Sequence, residues 1–132
     1  MNRSRGRLTR SEDFTRVYRA GRSVANKYLV LYYFERSEVK AADSDSGQRV
    51  GFSVSKRLGG AVERNSVKRM LREAFRSCSE TLRGEWDLVF VARTPLIELL
   101  ETGGLEAVKE KMLEVFGKAS LTGAGQERRP TQ

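Results

Sequence analysis

Between Arg49 and Arg76 the chain reads RVGFSVSKRLGGAVERNSVKRMLREAFR, and eight of these residues are cationic: Arg49, Lys56, Arg57, Arg64, Lys68, Arg69, Arg72 and Arg76. Only Glu63 and Glu73 oppose them, so the stretch carries a net +6 of the chain's formal +8. A field that dense attracts polyanions, and the matching chemistry is neutralisation of phosphates. Groups that make and break bonds are scarce. The 132 residues contain no histidine, which removes imidazole general acid/base catalysis, histidine-activated nucleophiles and the usual zinc constellations. The one cysteine, Cys78, cannot close an internal disulfide.

The elements that must position these cations follow from the same stretch. Val50, Phe52 and Val54 alternate with Gly51, Ser53 and Ser55, which predicts a strand with an apolar inner face and an outer face small enough to leave its backbone approachable. Gly59 and Gly60 break the pattern, and a helix starts between Gly60 and Asn65. Val67, Met70, Leu71, Ala74, Phe75 and Cys78 recur at helical spacing and must face a core, where Cys78 is an inert thiol. Arg64, Lys68, Arg72 and Arg76 form an i+4 row on another side, with Asn65 and Arg69 beside it. Like charges at that spacing cost an isolated helix roughly 0.2–0.5 kcal/mol per pair. Helix stability does not explain the row, whereas a bound polyanion would offset its cost. A solvated basic helix is the alternative reading, but such helices carry interspersed acids, as the last helix of this chain does.

Upstream, residues 1–10 hold Arg3, Arg5, Arg7 and Arg10 without an acid and read as a flexible basic arm. Thr9 and Glu12 have capping-box spacing, Phe14, Val17 and Tyr18 recur at helical intervals, and Gly21 supplies a stop, giving a helix over Ser11–Ala20. Arg16 and Arg19 on its other side extend the basic character of the arm. Lys27–Glu35 reads as a strand with Tyr28, Val30, Tyr32 and Phe34 on one face and Leu29, Leu31 and Tyr33 on the other. Helices could cover one of these faces and leave the other open. The aromatic set of Tyr28, Tyr32, Phe34, Phe14 and Tyr18 fits either a core or a base-stacking platform.

Residues 36–48 lack periodicity and read as a loop. Asp87–Arg93 is a continuous apolar run, as for a central strand buried on both faces. Pro95 opens a short helix through Leu100, Gly103 and Gly104 interrupt it, and a last helix over Leu105–Phe116 buries Leu105, Val108, Met112, Val115 and Phe116. The tail 122–132 is polar and reads as disordered, leaving one domain over 11–121. The class is α+β: a two-layer α/β sandwich with helices packed on a small, mostly antiparallel sheet of about four strands. No apolar run is long enough to cross a bilayer and the N-terminus lacks a secretory apolar centre, so the cytoplasm is the expected compartment.

The run Arg49-Val-Gly-Phe-Ser-Val-Ser-Lys-Arg, followed by Gly-Gly-Ala-Val-Glu-Arg-Asn-Ser-Val-Lys-Arg-Met-Leu-Arg-Glu-Ala-Phe-Arg, resembles the signature of the bacterial ribonuclease P protein subunit. The resemblance extends to Ser11-Glu-Asp-Phe, Ser23-Val-Ala-Asn and Asp87–Pro95, covering residues 7–95. In the family's basic motif an Arg-Asn-Arg triplet precedes Lys-Arg. Here Arg64 and Asn65 match, Ser66 replaces the second arginine, and Lys68, Arg69 and Arg72 match. That departure removes one phosphate contact.

The resemblance implies a left-handed βαβ crossover and a subunit of a ribonucleoprotein endonuclease that removes the 5′ leader of precursor tRNA. Its catalytic centre and Mg²⁺ ions would belong to the RNA subunit, with no catalytic residue or metal ligand on this chain. Lys56, Arg57, Arg64, Asn65, Lys68, Arg69, Arg72 and Arg76 would bind the ribonuclease P catalytic RNA. Phe14, Tyr18, Val30 and Tyr32 would hold the single-stranded leader of the precursor tRNA in a cleft between the sheet and the first helix. Neither a protein partner nor a membrane is implied. Two other readings share the charge and size: a structural RNA-binding protein of the ribosomal kind, and a self-sufficient nuclease holding metal on Asp43 and Asp45.

Overall fold

The computed structural model of the chain describes residues 7–36, 48–82 and 84–121. Seven elements follow one another: α1 (Ser11–Ala20), β1 (Arg22–Ala25), β2 (Leu29–Glu35), β3 (Arg49–Ser53), α2 (Ala61–Cys78), β4 (Trp86–Ala92) and α3 (Pro95–Ala119). Residues 1–6 of the expected arm, Asp43 and Asp45 in the expected loop, and the tail 122–132 lie outside the described residues.

The strands form one sheet in the order β1-β2-β4-β3. β1 with β2 and β2 with β4 are antiparallel, while β3 and β4 run parallel and are joined through α2. The α+β class and the mostly antiparallel sheet of four strands are those expected. β4 is central because its run of apolar residues needs cover on both sides, and Leu88, Val89 and Phe90 are all fully buried.

The two faces of the sheet are filled very differently. Leu29, Leu31, Leu88 and Phe90 point to one side, where α2 supplies Val67, Leu71, Ala74 and Phe75 and α3 supplies Leu96, Val108, Met112, Val115 and Phe116. Phe90 stacks on Phe52 at 5.8 Å and meets Phe75 and Phe116 at 6.0 Å each. On the opposite side, among the described residues, the apolar side chains buried together are Leu8, Val17 and Val89, with Phe14, Tyr32, Phe34 and Val91 half-buried around them. The sheet and its α2/α3 layer make the expected sandwich, and α1 is an added helix on the second face.

Several local expectations change. The strand expected from Lys27 begins at Leu29, because Asn26 closes a hairpin with β1, an element missing from the sequence reading. The Asn26 Oδ1 accepts from the N–H groups of Tyr28 and Leu29 at 2.9 Å each, and its Nδ2 donates to the Lys111 carbonyl and to Glu114. Tyr28 therefore leaves the Tyr32 face and packs against the larger core, near Lys27 and Lys111. The N-cap of α1 is Arg10 without a side-chain cap, so the Thr9–Glu12 box does not form. Gly21 ends α1 in extended backbone; a side chain there would meet the Tyr33 carbonyl oxygen at 2.4 Å, so glycine is needed for close approach to β2. The two expected C-terminal helices appear as one element kinked at Gly104, whose φ is 65°.

Candidate nucleic-acid interface

α2 begins after a single 3-10 turn over Lys56–Leu58. Gly59 links them with φ 143°, and the Gly60 N–H donates to Glu63 Oε1 at 3.0 Å. The chain thus enters the helix with Lys56 and Arg57 exposed just ahead of its first turn. Val67, Leu71, Ala74, Phe75 and Cys78 are buried against the sheet, which fixes the rotation of α2 and turns its cations away from the core.

Those cations divide into two rows. Arg69 and Arg76 are exposed, as is the neutral Asn65 beside them, whereas Arg64, Lys68 and Arg72 are half-buried along the flank of the helix. Arg64 Nε donates to the Gly59 carbonyl at 3.1 Å and so braces the turn as well as carrying charge. The Arg72 guanidinium lies 5.7 Å from the Phe52 ring centre. Its pKa is lowered by burial, then by the positive charges of Arg7 and Arg76. Among the described residues, none of Lys56, Arg57, Arg64, Lys68, Arg69 and Arg72 has a carboxylate partner; only Arg76 does, with Glu73 at 3.6 Å.

Arg7 reaches this neighbourhood because the end of the expected arm is tied down. Arg7 bridges to Val50 in parallel, the Leu8 N–H donates to the Val50 carbonyl at 3.0 Å, and Leu8 is buried. Residues 7 and 8 thus belong to the folded unit, since the Leu8 side chain completes the small core under α1.

The α1 side of the sheet is ordered in three cross-strand rows set by the register. Phe34, Asp87 and Arg49 form the first; Ser23, Tyr32, Val89 and Gly51 the second; Ala25, Val30, Val91 and Ser53 the third. α1 lies over the first two. The Phe14 ring sits on Gly51, where an added Cβ would come within 2.6 Å of it. Tyr18 meets Tyr32 edge-on, with ring centres 4.8 Å apart and planes at 90°. Tyr18 also shares a side-chain hydrogen bond with Ser53; its pKa is raised by burial and by Tyr32, against a lowering contribution from Ser53.

The third row is left half-buried as a shallow trough walled by the two tyrosines. The structure therefore brings Phe14, Tyr18, Val30 and Tyr32 together on the α1 side of the sheet, whereas α2, with its cations, packs on the opposite side and Lys56 and Arg57 stand exposed ahead of it. Past the trough, at the C-terminal ends of β3 and β4, a cavity of about 320 Å³ is lined by Ser55, Arg57, Leu58, Ala92, Arg93, Thr94 and Pro95. Arg93 and Ser55 were not singled out from sequence. The available signal was their place immediately after two strands that prove to be parallel neighbours, where crevices form.

Arg49 of the cationic stretch and Arg16 of the first helix have a different place. Arg49 forms a two-pronged pair with Asp87, Nε to Oδ1 and Nη2 to Oδ2 at 2.9 Å each. Arg16, expected to continue the basic character of the arm, lies 3.1 Å from Asp13 and 3.9 Å from Asp87 and sits over the Phe34 ring. Arg36 joins Asp87 at 3.3 Å. Asp87 is fully buried, and a carboxylate at such a depth requires paired cations.

Known proteins resemble this chain along most of its length. The sequence model of the family described as Ribonuclease P matches residues 2–119. The ribonuclease P protein component of Caldanaerobacter subterraneus is 36% identical over 115 residues, 87% of this chain and 90% of that one. That of Clostridioides difficile is 42% identical over 93 residues, 70% of this chain and 75% of its own. Among solved structures, the RNase P protein of Staphylococcus aureus has a TM-score of 0.72 at 31% identity, covering 89% of this chain and 98% of that chain. The RNase P protein of Thermotoga maritima has a TM-score of 0.68 at 30% identity, covering 82% and 92%. With sequence match and fold in agreement over nearly the whole described unit, the chain belongs to the ribonuclease P protein family.

Proposed function

We propose that this chain is the protein subunit of the ribonucleoprotein endonuclease ribonuclease P and supports removal of the 5′ leader from precursor tRNA. The observation that carries the reading is the presence of two faces with different chemistry on one sheet. One is a helix whose cations, Arg76 apart, lack carboxylate partners among the described residues; the other is a half-buried row of the sheet beside the Tyr18–Tyr32 edge contact. Lys56, Arg57, Arg64, Lys68, Arg69, Arg72 and Arg76 bind the catalytic RNA by neutralising its phosphates, a contribution that weakens with salt, and Asn65 contacts the same RNA by hydrogen bonding. Phe14, Tyr18, Val30 and Tyr32 receive the leader, whose bases pack on ring faces and edges with little sequence preference, as an enzyme with many precursors needs.

The described residues include no group of three or more Asp, Glu or Cys able to hold a metal, and Asp13 and Asp87 are engaged by arginines. In this reading the Mg²⁺ ions, which would stabilise the attacking and leaving oxygens, are held by the RNA subunit and substrate. The protein contributes affinity and positioning.

Reconstitution tests the proposal. Purified protein added to ribonuclease P RNA at low Mg²⁺ and moderate salt should promote leader cleavage. Tight RNA binding without any stimulation would instead identify a structural RNA-binding protein, and cleavage by RNA-free protein would identify a nuclease in its own right.

A further inference from the structure

The small core under α1 is a weak anchor for a helix that has to hold a binding wall in place. Only Val17 of α1 is a fully buried apolar residue, and it meets Leu8 and Val89. Charge supplements it at the first turn. Asp13 lies 3.1 Å from Arg16 on its own helix and 3.6 Å from Arg49 of β3. Arg49 is held by the two-pronged pair with Asp87 of β4, and Asp87 also faces Arg16 at 3.9 Å and Arg36, just beyond β2, at 3.3 Å. Asp87, Arg36 and Asp13 are 0%, 3% and 7% exposed. Three strands are thereby linked to the first turn of α1 through directional, largely dry contacts.

We infer that Asp87 and Asp13 are positioning residues for the leader groove: through Arg49 and Arg16 they set where α1 sits on the sheet, and hence where Tyr18 stands against Tyr32. This rests on the leader reading of the groove given above. Buried ion pairs add little net stability compared with apolar packing, so their use at this one place on the sheet points to geometry. Val17 lies one turn beyond Asp13, and Tyr18 follows it directly, so a helix released at its first turn pivots about Val17. The pivot carries the Tyr18 ring away from its 4.8 Å edge contact and from Ser53. Displacements of about 1 Å in a positioning element have large effects on a bound substrate.

The test compares leader-bearing with leaderless precursor tRNA, using protein reconstituted with the catalytic RNA. It also follows amide exchange across Ser11–Ala20 in the protein alone. Asp13→Asn keeps the Arg49–Asp87 pair and removes only the charge on α1. It should speed exchange in α1 relative to α2 by about tenfold and lower affinity for the leader-bearing precursor by about three- to tenfold, with leaderless affinity unchanged. Asp87→Asn should give the same pattern more strongly. If that variant does not fold, as loss of a carboxylate among three guanidinium groups could cause, Asp13→Asn and Arg16→Gln decide. Unchanged α1 exchange, or equal loss for both precursors, overturns the inference. So does a loosened α1 with intact leader affinity, provided Tyr32→Ala does reduce leader affinity. If Tyr32→Ala leaves leader affinity intact as well, the leader reading of the groove has failed, and the inference falls with it.

Discussion

The two faces of the sheet contrast in what holds them. Toward α2 and α3 the filling is a continuous apolar mass centred on Phe90, with every neighbour fixed by several others. Toward α1 it is three buried apolar side chains, a cluster of ion pairs and an open trough. The first arrangement buries area and gives stability; the second leaves area uncovered and gives chemistry. A chain of this size can leave one face thin because the other is thick. Mutations on the two faces should therefore separate folding from binding.

The largest expected effect lies on the thick face. Phe90→Ala removes a fully buried ring from contact with Phe52, Phe75 and Phe116 and should cost about 3–5 kcal/mol of stability in a urea titration. A cost comparable to that of Tyr32→Ala, whose ring is only half-buried, would erase the contrast.

Next come the cations of α2. Replacing Lys68 and Arg69 together with Ala should weaken binding of the catalytic RNA by about 3 kcal/mol at low salt and flatten the log–log salt dependence by about 0.7–0.9 per lost phosphate contact. Since neither residue has a carboxylate partner among the described residues, the melting temperature should barely move. The same double substitution placed at Arg49 and Arg16 should act oppositely, disturbing α1 more than the salt slope.

Tyr32→Ala is a smaller and more selective change. It removes one wall of the trough and the edge partner of Tyr18, and should cost about 1–3 kcal/mol of affinity for precursors with a leader. Precursors lacking a leader should bind as before. Equal losses would mean that the aromatic wall is packing and not a binding surface.

Much of the thick face was legible in the sequence, because apolar period is the physical cause of burial. Val67, Leu71, Ala74, Phe75 and Cys78 of the α2 stripe, the Leu29/Leu31/Tyr33 alternation and the β4 run lie where their spacing put them, while Met70 of the stripe is only half-buried. The α1 boundaries agree as well, although the cap expected from Thr9 and Glu12 is absent. What stayed hidden depends on contacts between residues far apart in the chain. Spacing alone places Asp87 within the apolar run of β4, Arg16 with the basic arm and Arg49 in the cationic stretch. Only the register that sets Asp87 beside Arg49 and Phe34, with α1 laid across them, turns these into an internal cluster. β1 was missed for a related reason: RSVA is too short to show a period and becomes a strand only through Asn26 and the edge of β2. Ser66, the one departure from the family's basic motif, is exposed on α2.

The mildest test of the contrast uses pH. The Tyr18 phenol is pushed above its ordinary 10.0 first by burial and then by Tyr32, while the Ser53 hydrogen bond pulls the other way. Because its folded-state pKa lies above the unfolded value, the stability this group contributes is complete below the unfolded pKa and is lost as pH rises through the folded one. An ultraviolet titration should thus show Tyr18 ionising later than an exposed tyrosine, with destabilisation confined to that alkaline window. Tyr32→Phe removes the second phenol and should move the Tyr18 transition back toward lower pH. Ser53→Ala removes the lowering partner and should move it further up. If neither substitution shifted the transition, the edge contact and the Ser53 bond would not define the groove wall in solution, and the thin face would be looser than its ion pairs suggest.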